Sequence, residues 1–159
     1  MKYMKRKIFK FLVAATAVLS FVACDKEDGP VLTDNPTVPV ISAPANNSAV
    51  TLDKANQETA TIVFTWSSAD YGLELSQDYV LKAAFNDTVV KFVTVNEANT
   101  ISLTHSALNK KLLACKVVGG TTVDVNFTIT SVVSATKGDA ASVPVKVAVT
   151  TFSDKKSYD

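Results

Sequence analysis

The chain is poor in the residues that most enzyme chemistry needs. It holds one histidine, two cysteines and one tryptophan in 159 residues. A Ser-His-Asp or Cys-His relay would have to be built on His105 alone. A zinc centre takes three or four His, Cys or carboxylate ligands, and one histidine with one spare cysteine falls short. The five glycines are scattered apart from Gly119-Gly120, which leaves no phosphate-cradling loop. No D-x-D-x-D-G calcium loop is present. No cofactor or metal is expected, and no enzyme activity. Basic residues do not cluster beyond Lys110-Lys111 and Lys155-Lys156 in the later chain, so nucleic acid is not an expected partner.

The formal net charge of +1 hides an uneven placement. Five basic residues (Lys2, Lys5, Arg6, Lys7, Lys10) and no acidic ones fall within 1–23. The remaining 11 basic residues face 15 acidic ones, so the chain after residue 23 is mildly acidic. The basic start runs into an uncharged apolar stretch, 11–23, of 13 residues. That is short of the roughly 20 residues that span a bilayer and reads as a secretory signal peptide. Phe21-Val22-Ala23-Cys24 resembles the lipobox of bacterial lipoproteins, whose cysteine receives a diacylglycerol and becomes the new N-terminus. On that resemblance Cys24 is the lipid attachment residue and a membrane is held through it, since two or three acyl chains anchor stably.

With Cys24 acylated, Cys115 has no intramolecular partner, so the exported domain holds without disulfides. Cys115 reads as a small buried hydrophobe at the end of an apolar helical stretch, with a reactive thiol as the sharper alternative. Residues 25–37 (DKEDGPVLTDNPT) are polar and carry Gly29, Pro30 and Pro36. They read as a flexible linker, at most about 45 Å long when extended. The acidic opening Asp25-Lys26-Glu27-Asp28 also resembles the short export signal of surface lipoproteins in some Gram-negative bacteria.

From Val38 onward the pattern is of strands. A hydrophobic share of 47% against 19% charged residues supports a packed core. Residues 38–43, bracketed by prolines, predict an edge strand. In 61–66, Ile62, Phe64 and Trp66 share one face; in 78–85, Tyr79, Leu81, Ala83 and Phe85 do. A β-branched run spans 89–95. The period of two is cleanest in 122–133, with Val123, Val125, Phe127, Ile129 and Val133 inward, and recurs in 142–151, with Val143, Val145, Val147 and Val149 inward. One segment, 106–116, instead spaces Leu108, Leu112 and Cys115 helically, with Asn109, Lys110 and Lys111 facing away. Thr104 or Ser106 would cap it, and Gly119-Gly120 would end it. Together these predict an all-β immunoglobulin-like or fibronectin-III-like β-sandwich with one short crossover helix. The division is a signal peptide over 1–23, a lipidated N-terminus and flexible tether over 24–37, a sandwich over 38–153 and a tail over 154–159.

Residual chemistry is thin. His105 reads as a partly exposed surface residue rather than a base. Asp70, Glu74 and Asp78 are the carboxylates that glycoside hydrolysis would need, and they read as a solvated loop. Phe64 and Trp66 alternate with threonines, which places them in a core. Tyr71, Phe152 and Tyr158 are the rings left to face solvent, and they form no cluster, so no glycan-stacking platform is evident.

The chain after the leader resembles the N-terminal domain of SusE-type outer-membrane lipoproteins of starch- and glycan-utilisation systems. Cys24-Asp25-Lys26-Glu27-Asp28 opens it in the family manner. Ala43-Pro44-Ala45-Asn46-Asn47-Ser48 with Val50-Thr51-Leu52 resembles the family's proline turn and leucine strand. Phe64-Thr65-Trp66-Ser67-Ser68-Ala69-Asp70-Tyr71-Gly72 resembles its most informative stretch. Tyr79-Val80-Leu81 and Thr104-His105-Ser106-Ala107-Leu108-Asn109 follow. The resemblance covers roughly 24–152. It implies a surface-exposed lipoprotein of the outer membrane beside a glycan importer. Family members continue into further β-domains that carry the glycan sites, so the part seen here resembles the spacer. Its expected role is a spacer or docking domain with weak contact to starch or another polysaccharide, and with importer components as partners. The alternative is an adhesin or fimbria-like subunit that pairs through strand edges.

Overall fold

The computed structural model describes residues 32–133 and 139–154. The expected leader over 1–23, Cys24 with its lipid, the first part of the linker and Tyr158 lie outside the described residues. Among the described residues there are nine strands and one helix: β1 (Ile41–Ala43), β2 (Ser48–Thr51), β3 (Thr61–Trp66), β4 (Asp78–Phe85), β5 (Thr88–Asn96), β6 (Thr100–Thr104), α1 (His105–Ala114), β7 (Thr122–Val132), β8 (Ala140–Ala141) and β9 (Val145–Thr150). A three-stranded sheet runs β1-β3-β6. A six-stranded sheet runs β2-β9-β7-β4-β5, with β8 also on β7. The sandwich expected from the alternating pattern is present, and α1 carries the chain from β6 in one sheet to β7 in the other.

Of the edge strand expected over 38–43, β1 occupies 41–43 and lies at an edge of the three-stranded sheet, and the segment after it joins the other sheet. β1 pairs antiparallel with β3, the chain crosses at the cis Ala43-Pro44 bond, and β2 then pairs in parallel with β9. Inward positions follow the period of two: Ile62, Phe64 and Trp66 on β3, Tyr79, Leu81, Ala83 and Phe85 on β4, Val125, Phe127 and Ile129 on β7, and Val145, Val147 and Val149 on β9 are all buried. Two ring pairs join the sheets. Phe64 meets Phe127 at 4.8 Å between centroids, and Trp66 meets Tyr79 at 5.5 Å. Such pairs add about 0.5–1.5 kcal/mol beyond burial.

Three local expectations are corrected. Val143 is 76% exposed, not inward. β8 and β9 both lie on β7, but Ser142 donates its N–H to Ile129 O while Val145 sits opposite Phe127. Between these pairs Val143 and Pro144 face Thr128 alone, two residues against one, a bulge that turns Val143 outward. The helix does not run to Gly119-Gly120. It closes at Lys116, whose φ is +68°, with Lys116 N–H on Leu113 O and Val117 N–H on Leu112 O, a Schellman arrangement. The glycines have other work. A Cβ at Gly119 would stand 2.8 Å from Ser153 Cα, so the close approach of the last segment requires glycine there, and Gly120 has a φ of +84°. Finally, of the three residues expected on the outer face of α1, Asn109 is fully buried and Lys111 is half-buried; Lys110 is exposed. The N-cap is Thr104, whose side chain accepts from Ala107 N–H at 3.1 Å.

Candidate functional site

The Trp66–Gly72 stretch builds one end of the sandwich. Beyond buried Trp66 the chain leaves β3 and turns. Asp70 exchanges backbone hydrogen bonds with Thr37, and Thr33 N–H donates to Tyr71 O. Residues 33–37, within the expected linker, are therefore tied to this turn. The Asp70 carboxylate accepts from Gly72 N–H at 2.8 Å, and Gly72 adopts φ +77°, where any side chain would be strained. Tyr71 packs with Ala69 and Ala140 against Leu32, Leu75 and Val133. It is 1% exposed, with its hydroxyl donating to Ser131 O.

Gln77 ties this loop to the sheet. Its Nε2 donates to Ala69 O at 2.8 Å. Its Oε1 accepts from the Tyr79 hydroxyl at 2.8 Å and from Ser131 Oγ at 3.0 Å. Above it opens a polar cleft of about 340 Å³ lined by Ser68, Leu75, Ser76, Gln77, Tyr79, Glu97 and Asn99. Ser68 and Asn99 bond across it, as do Ser76 and Glu97. A second recess of about 480 Å³ adjoins it through Leu75 and Gln77 and runs along Asp70, Gly72, Leu73 and Glu74. Both are open depressions; in the first the polar side chains pair with one another, and in the second Asp70 and Gln77 bond to the backbone of Gly72 and Ala69.

The structure brings Asp70 and Glu74 to the second recess, and Asp78 lines neither depression. All three are exposed. His105 lies beyond the other end of β6 from Asn99. The expectation of a partly exposed surface histidine is corrected: the ring is 9% exposed, and Nδ1 accepts from Asp53 N–H at 2.8 Å. Helix initiation explains this, because His105 is the first helical residue and points back over the loop between β2 and β3. Within that loop the Asn56 side chain, then the N–H groups of Ala55 and Asn56, hold the Asp53 carboxyl below its ordinary range. Cys115 is a half-buried free thiol packed against the core at the end of α1. Among the described residues no three potential ligands gather to hold a metal.

The aromatic side chains settle differently from expectation. Tyr71 and Phe152, expected to face solvent, are buried; Phe64 and Trp66 are buried as expected. All eight aromatic residues of the described chain are buried or half-buried. Phe92 is half-buried. Its ring carries the Lys111 ammonium 5.3 Å from the centroid, and the same ammonium donates to Lys91 O at 3.0 Å and Phe92 O at 3.1 Å. Here β5 bulges: Leu81 faces Val93 and Lys82 faces Lys91, which leaves Phe92 as the extra residue.

A family model described as SusE outer membrane protein matches residues 25–130. No curated protein and no solved structure matches the chain.

Proposed function

The chain belongs to the SusE outer membrane protein family, a family of the outer membrane, and on that premise we propose that it is a non-catalytic spacer and docking domain of a Sus-like glycan-uptake system. In this reading a lipid on Cys24 holds the protein at the cell surface. The residues between Cys24 and Leu32 give reach, and the sandwich over 38–153 presents its loop end to importer components. The observation that carries the reading is the burial of the aromatic rings. Sugar recognition by stacking needs a flat ring open to solvent, and the eight described rings are all turned inward or covered. The non-catalytic reading is supported by the lone histidine, whose Nδ1 is taken by a backbone donor, and by Asp70, whose carboxylate closes its own turn.

The adhesin-like alternative draws less support. The nine-residue edge strand β5 is bent by its bulge and has two carbonyls covered by Lys111, devices that discourage edge-to-edge pairing.

Affinity electrophoresis of the protein against starch and a panel of plant and host glycans, paired with pull-down of importer components under gentle extraction, tests the proposal. Co-purification of importer components with no retardation by any glycan is the expected result. Saturable retardation by one glycan replaces the spacer reading with a binding one. Polymers that grow with concentration replace it with the strand-edge reading.

A further inference from the structure

Six large hydrophobic side chains are exposed among the described residues, and three of them, Val38, Val40 and Val143, line one groove of about 230 Å³. Pro39, Ile41 and Pro144 also line it. The groove runs between the chain leading into β1 and the bulge before β9, and β2 covers β9 only from Val147 onward. No residue in 35–52 or in 140–145 is charged. Backbone groups at the rim are already engaged: Val40 N–H donates to Ser67 Oγ at 3.0 Å, and Val40 O accepts from Ser67 N–H at 3.0 Å. The two prolines have no N–H to offer. An added strand would find few donors here, whereas a surface that asks for no hydrogen bonds suits lipid. Gathered apolar exposure of this kind marks an interaction site.

We infer that this groove seats the domain on a lipid surface, with Val38, Val40 and Val143 entering the headgroup boundary. The inference rests on the lipid at Cys24 proposed above. Leu32 packs on the cluster of Tyr71 and Ala140, and Thr33 and Thr37 are hydrogen-bonded to Tyr71 and Asp70. Only the eight peptide steps from Cys24 to Leu32 then separate the lipid from the domain, at most about 28 Å. Val38 follows Thr37 directly, and Val143 comes three residues after Ala140. The groove therefore borders the place where the chain from the lipid joins the sandwich. Acyl chains that hold this place near a bilayer make the groove's contact an intramolecular event, for which a weak attraction suffices. The attraction is burial of apolar side chains at the interface. With no charge in either segment, the contact neither needs an anionic lipid nor carries the cost of desolvating an ion.

The test is NMR of the lipoprotein in phosphatidylcholine nanodiscs, one protein per disc, with valine methyl groups labelled and a soluble gadolinium chelate in the water. The other three exposed valines, Val63, Val89 and Val118, lie off the groove and serve as internal controls. Val38, Val40 and Val143, seated about 5–10 Å into the boundary, should lose most of the relaxation enhancement that the controls keep. With Val40→Asp and Val143→Asp together, Val38 should regain it while the protein stays in the disc. Equal enhancement at all six valines of the unaltered protein overturns the inference, as does protection of Val38 that survives the double substitution. Protection that arises only with two proteins per disc overturns it in favour of a second copy of the chain. Mass spectrometry of the N-terminal peptide reads the lipid separately. An acylated Cys24 with six equal valines sinks the groove contact alone, and an unacylated Cys24 removes the anchor and this inference with it.

Discussion

The side-chain amide of Asn109 closes a two-hydrogen-bond ring with the backbone of Phe152. Its Nδ2 donates to Phe152 O at 3.1 Å and its Oδ1 accepts from Phe152 N–H at 2.9 Å. Asn109 is 0% exposed, and α1 thereby supplies to the segment after β9 the pairing that a neighbouring strand would. Asn109→Ala leaves both backbone groups of Phe152 buried without a partner. Each such group costs about 1–3 kcal/mol, so a loss of about 2–6 kcal/mol is expected in urea denaturation, with the m-value unchanged.

Lys116 holds the left-handed position that ends α1 at φ +68°. A residue with a Cβ is strained there by about 1 kcal/mol, and glycine is not. Lys116→Gly should raise stability by about 0.5–1 kcal/mol in the same measurement. A fall would mean that the Lys116 side chain contributes a contact larger than the strain it bears.

Lys111 covers the carbonyls that the bulge of β5 leaves open. Lys111→Met keeps the length of the side chain and removes its donors. A small loss of stability, about 1 kcal/mol or less for a half-exposed contact, should accompany a rise in self-association, read by sedimentation velocity across a concentration series. A strictly monomeric variant would show that the bend of the strand protects the edge without the lysine.

Asp53 carries a carboxyl whose pKa is lowered, first by the Asn56 side chain and then by the Ala55 and Asn56 amides. A carboxyl depressed in the folded state binds protons more readily once unfolded. Its contribution is therefore full above the ordinary carboxylate value near 4 and is lost as pH falls through the lower folded value. Carboxyl NMR should place the Asp53 midpoint below those of exposed aspartates. Asp53→Asn should flatten the acid limb of stability below about pH 4.

Much of the fold is legible because burial on one face leaves a periodic trace. β3, β4, β7 and most of β9 show it, and the buried residues Phe64, Trp66, Tyr79, Phe127 and Val147 fall on the expected faces. β6 and β8 leave no such trace. Thr100-Ile-Ser-Leu-Thr104 is five residues long and runs straight into the helix, and β8 has two residues. Segments that short carry too few alternations to stand out from loop. The motif around Asp70 and Tyr71 was legible as a turn, yet its tyrosine faces inward because Ala69, Ala140 and Leu32 close over it.

The sequence by itself determined the sandwich class, the inward faces of the long strands, the presence of the helix and the likeness to the SusE family, all of which rest on local pattern or on motif. Only the tertiary structure decided the rest. Asn109 is 43 residues from the backbone it serves, His105 is 52 from the amide that its ring holds, and Lys111 is 19 from the carbonyl of Phe92 that it covers. A polar side chain near the end of an element reads as solvent-facing until its distant partner is known. Burying it is tolerable only when that partner satisfies its hydrogen bonds, and no local pattern records which residue that will be.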